Sequence, residues 1–84
     1  MSIKEFLEFL FEELKKALGR NDVARISDIA ATAEMLFEFS ERQNDEVAIS
    51  VLKDFDYIVL HYDEEPQYVG NYLEKIKSEL ETWA

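Results

Sequence analysis

The side chains in this sequence that could do chemistry are a single histidine, His61, and many carboxylates; there is no cysteine. Asp54, Asp56, His61 and Asp63 have the residue types of a metal site. The Asp54-x-Asp56 pair does not continue as a calcium loop, because Val59 stands where such a loop needs glycine. A di-iron Glu-x-x-His signature needs glutamate three residues before the histidine, and that residue is Ile58. Ser27, Ser40, Ser50 and Ser78 are the available serines of interest, and none lies in a nucleophile-elbow context. Two glycines in all are too few for a phosphate-cradling loop. The pattern points away from an enzyme, and neither a metal nor a cofactor is expected.

Recognition suits these residues better. Asp54, Asp56, Asp63, Glu64 and Glu65 surround Tyr57, Tyr62 and Tyr68, and no lysine or arginine occurs from Asp54 to Val69. Tyrosine offers rigid contact area with a polar tip, and carboxylates complement a basic partner. The formal net charge is −10. From Asp28 to Glu65 there are eleven acids and two bases, Arg42 and Lys53, so nearly all the excess lies in mid-chain. Such a field repels nucleic acid and anionic membrane and speeds encounter with basic proteins.

Four amphipathic segments must position these residues. Ser2 and Glu5 form a capping-box pattern ahead of a stripe at Ile3, Phe6, Leu7, Leu10, Phe11, Leu14, Ala17 and Leu18. This predicts a helix over 3–18, closed by Gly19. Asn21 or Asp22 caps a second helix, with a stripe at Val23, Ile26, Ile29, Ala30, Ala33, Leu36, Phe37 and Ser40, ending between Arg42 and Asn44. Its alanines would admit a close neighbour. Asn44 or Asp45 caps a third, with Ala48, Val51, Leu52, Phe55, Ile58 or Val59, and Tyr62 inward. The run Tyr57 to Tyr62 is β-branched and aromatic, so a strand competes there. Unbroken helical periodicity and the lack of any partner strand favour helix. Pro66 opens a fourth at its first position, with Val69, Tyr72, Leu73, Ile76, Leu80 and Trp83 inward. The expected fold is a single all-α domain over 1–84, an antiparallel up-down four-helix bundle.

Phe9, Met35 and Phe39 fall off these stripes and mark a candidate oligomer interface, Met and Phe being enriched at such surfaces. No apolar run reaches membrane-spanning length. Glu5, Glu8, Glu12 and Glu13 interrupt the N-terminal segment, which does not read as a signal peptide. A cytoplasmic protein is expected.

The order Asp56-Tyr57-Ile58, Tyr62, an acidic loop, Glu65-Pro66 opening a last helix, and a late Trp83 resembles the small acidic immunity proteins of nuclease bacteriocins. Residues 5–10, "EFLEFL", are similar to the start of that family's first helix. His61-Tyr62 stands nearest to the family's adjacent tyrosine pair. The resemblance implies a four-helix protein whose Asp54, Asp56, Tyr57, Tyr62, Asp63 and Glu64 face a basic toxin domain.

Residues and resemblance together favour an immunity or antitoxin-like inhibitor of a basic toxin, a nuclease domain in the first instance. Its candidate partner-binding residues are Asp54, Asp56, Tyr57, His61, Tyr62, Asp63, Glu64 and Glu65, with Glu34, Glu38 and Glu41 as a secondary acidic face. Two alternatives stand beside it. One is a homo-oligomeric helical adaptor or chaperone-like module built on Phe9, Met35 and Phe39. The other is a DNA mimic that blocks a DNA-binding protein.

Overall fold

A computed structural model describes residues 1–84 as four α-helices and no strand. The helices are α1 (Ile3–Arg20), α2 (Val23–Arg42), α3 (Glu46–His61) and α4 (Pro66–Thr82). Each start has a local cause. The Ser2 hydroxyl accepts from the Glu5 amide at 3.1 Å, and the Glu5 carboxylate accepts from the Ser2 amide at 3.4 Å, completing the capping box. Asp22 accepts from the Arg25 amide and Asp45 from the Ala48 amide, one cap for α2 and one for α3. Pro66 is the first residue of α4, where its missing N–H costs nothing. The run Tyr57 to His61 is helical, with Tyr62 as its C-cap.

The end of α1 differs from expectation. Gly19 lies inside the helix, and Asn21 takes the left-handed position at φ 52°. Asparagine tolerates that region, and its amide donates back to Ala17 and Leu18. Asn44, at φ 55°, does the same between α2 and α3.

The inward stripes meet in one core of fifteen buried apolar residues. Phe55, Leu7, Leu14, Ile29, Leu52, Ile58 and Ile76 are its largest fully buried side chains. Helix α2 packs on α1 and α3, α3 on α4, and α1 meets α4 along a shorter line. Val23 departs from its assigned stripe and is exposed, because the buried stretch of α2 begins one turn later at Ile26. The molecule measures 32 × 23 × 20 Å, and no helix is long and apolar enough to cross a membrane.

A Cβ built on Gly19 meets nothing within 4 Å, and the glycine carries no positive φ. Gly19→Ala is therefore expected to stabilise the fold by about 0.5–1 kcal/mol. In urea the midpoint should rise at unchanged m value; an unchanged or lower midpoint would contradict this placement of the helix end.

Candidate functional site

The residues proposed for partner binding separate into two populations. Asp54 is 3% exposed. It faces α4, and Lys75 Nζ donates to its Oδ1 at 3.0 Å. One helical turn earlier, Ser50 Oγ donates to Glu79 Oε2 at 2.5 Å. Asp54 Oδ2 and Glu79 Oε1 are both buried with no other partner. A proton held between the two carboxyls would satisfy both oxygens at once. Burial first, then the Glu79 carboxylate, push Asp54 up to about 6. Glu79 is held below its usual value: burial, its largest influence, raises it, but the bonds from Asp54 and Ser50 outweigh that. Asp54 is thus part of the α3–α4 seam and cannot present its carboxylate to a partner. Counting apolar residues could not have shown this, because its cation lies 21 residues away on another helix.

Tyr57 belongs to the same seam. Its ring stacks on Tyr72, centroids 4.0 Å apart and 16° between planes, and lies 4.7 Å from the His61 ring. Its hydroxyl donates to Glu65 Oε2 at 3.4 Å. Desolvation and that carboxylate raise the phenol above its usual value, so it remains a donor. Tyr57 is half-buried, one ring face being taken up by Tyr72. Tyr62 is half-buried and packs on the core. His61 is half-buried, its Nδ1 4.0 Å from Glu64 and 3.9 Å from Glu65, beyond hydrogen-bonding distance.

The second population is open. Asp56, Asp63 and Glu64 are exposed, as are Glu34, Glu38 and Glu41, and Glu65 is half-buried. None of them has a lysine or arginine within ion-pairing distance. The Lys and Arg ion pairs lie elsewhere, at Glu12–Lys15, Glu13–Lys16, Glu13–Arg25 and Asp54–Lys75. Glu13 in particular is held low, first by the hydrogen bond from Arg25, which ties α1 to α2. No three His, Asp or Glu side chains group as a metal-ligand set.

Between α2 and α3 lies a groove of about 310 Å³. Ala30, Ala33, Phe37, Leu52 and Val59 form its apolar lining, and Glu34, Lys53 and Asp56 its polar edge. It joins Asp56 to the secondary acidic face at Glu34. Helices α2 and α3 pack together more extensively than any other pair, with Ala33 buried, and the groove opens beside that contact.

Phe9, Met35 and Phe39 are 51%, 73% and 45% exposed, and Phe9 meets Phe6 edge to face at 6.5 Å. Leu60 at 60% and Tyr68 at 45% are also exposed and were not among the candidate residues. Leu60 falls one turn beyond Asp56 on the outward face of α3, so helical spacing could have found it. Compared with family models, curated proteins and solved structures, the chain matches none.

The seam carries a pH dependence whose sign is fixed. Between about pH 4.5 and 6 the folded chain keeps a proton on Asp54 that the unfolded chain has released, so this group lowers stability as pH rises. Asparagine can accept from Lys75 and donate to Glu79 at every pH. Relative to Asp54→Asn, the wild type should lose about 1–2 kcal/mol between pH 4.5 and 7 in urea titrations. Parallel stability curves would refute the shared proton.

Proposed function

We propose that this protein is an immunity or antitoxin-like inhibitor that captures a basic protein, a nuclease toxin domain in the first instance. The observation that carries this reading is the set of uncompensated carboxylates. Of the eleven acids between Asp28 and Glu65, only Asp54 has a lysine or arginine partner. Acidity that serves solubility alone also leaves carboxylates in solvent; what favours a partner is their concentration in the middle of the chain. Here Asp56, Asp63, Glu64, Glu34, Glu38 and Glu41 are left to solvent, where they steer a basic partner at long range. Inhibition would follow from carboxylates occupying the partner's phosphate-binding surface. The tyrosine contribution shifts from Tyr57, which is committed to Tyr72, towards the exposed Tyr68. The helices are proposed to alternate up and down. Contacts pairing Ser50 with Glu79, Asp54 with Lys75 and Tyr57 with Tyr72 descend along α4 as they ascend along α3, which supports that arrangement.

A second reading rests on Phe9, Met35 and Phe39, whose exposure fits a homo-oligomeric adaptor. Sedimentation at micromolar concentration separates the two. A dimer abolished by Phe39→Glu supports the adaptor.

The test of the first reading compares the wild type with the triple charge reversal Asp56→Lys, Asp63→Lys, Glu64→Lys in pull-downs at about 50 mM salt. The wild type should retain a basic protein that elutes by about 500 mM and whose nuclease activity it then inhibits at one-to-one stoichiometry. The variant should retain none of it. Equal retention by both proteins, or a captured partner with no inhibited activity, contradicts the reading.

A further inference from the structure

We propose that the α2–α3 groove is a receiving site for an arginine side chain of a basic protein partner. This rests on the basic-partner reading and specifies what that partner inserts. The groove, about 310 Å³, is at the small end of ligand-sized pockets and suits one long side chain better than a helix. Its apolar lining, Ala30, Ala33, Phe37, Leu52 and Val59, matches an aliphatic stem. Its edge carries Glu34 from α2 and Asp56 from α3, two carboxylates on opposite walls with no lysine or arginine partner.

Charge complementarity selects the occupant. A purely apolar side chain entering here would desolvate Glu34 and Asp56 without pairing them. A cation at the end of an apolar stem satisfies both requirements. A planar guanidinium can hydrogen-bond both walls through its fork and lie on the Phe37 ring, whereas an ammonium is a point charge that does one of these less well. Lys53, exposed at the same edge and without a carboxylate within ion-pairing distance, opposes an incoming cation and tempers affinity.

The probe is N-acetyl-arginine methylamide, titrated into the isotope-labelled protein and followed by amide chemical shifts, with the lysine and norleucine analogues in parallel. Saturable shifts are expected at Ala30, Ala33, Glu34 and Asp56, at millimolar affinity, with lysine about fivefold weaker and norleucine silent. Glu34→Gln with Asp56→Asn should abolish saturation, and Lys53→Gln should tighten binding about threefold by removing the opposing charge. Ala30→Leu, which fills the groove, should block the probe; because all the other substituted positions are exposed, the result does not depend on that variant folding. Shifts spread over every acidic surface, or equal responses to arginine and lysine, would overturn the proposal. The titration needs no partner protein. A groove that ignores arginine therefore removes this inference alone, whereas a charge-reversed surface that keeps its partner removes the basic-partner reading itself.

Discussion

The arrangement of the surface depends on the polar seam between α3 and α4. Asp54 and Glu79 are two carboxyls brought side by side, served by one lysine and one serine hydroxyl. Like charges at such a contact are costly unless a proton or cation is shared. Lys75 supplies the cation, and the raised Asp54 value is what a shared proton would produce. Next to this pair the Tyr57–Tyr72 stack extends the same contact towards the acidic loop. Together they hold α4 against α3 along the length from Ser50 to Tyr57, so the loop from Asp63 to Glu65 emerges at a defined place.

Everything charged outside that seam is left unpaired over the middle of the chain. The cations that do form ion pairs are concentrated on α1, at the start of α2 and on α4. The consequence is a division of labour by position. The paired charges hold helices together or cover their own turn, while α2 and α3 present an acid-rich surface, with Glu34, Asp56 and Lys53 at the edge of the apolar groove between them. Such a face contributes little to folding; under the proposed reading it acts on association rate and partner choice.

The helices were legible in the sequence because their ends are coded by local chemistry. Ser2 with Glu5, Asp22, Asp45 and Pro66 each act within one turn, and the structure has all four. Gly19 misled because glycine and asparagine compete for the left-handed closing position, and here Asn21, two residues on, takes it. The site was less legible. Asp54 reads as one more acid in an acidic run, yet its environment is set by Lys75 and Glu79 on a different helix. Tyr57 lies off the apolar stripe and still loses its face to Tyr72. Periodicity places a side chain on a helix face; it does not say which polar groups another helix brings to that face. The exposed acids Asp56, Asp63 and Glu64 needed no such information, since nothing arrives to cover them.

The measurement that tests this division most directly is a carbon-13 carboxyl NMR titration of the folded protein. The account predicts that the Asp54 carboxyl titrates at about 6, with Glu79 below the usual glutamate range. The two resonances should also respond to each other's titration, as coupled groups do. An Asp54 that titrates at the ordinary aspartate value, independently of Glu79, would mean that the seam is open to water. Asp54 would then rejoin the surface carboxylates, and the separation between structural and solvent-facing charge would not hold.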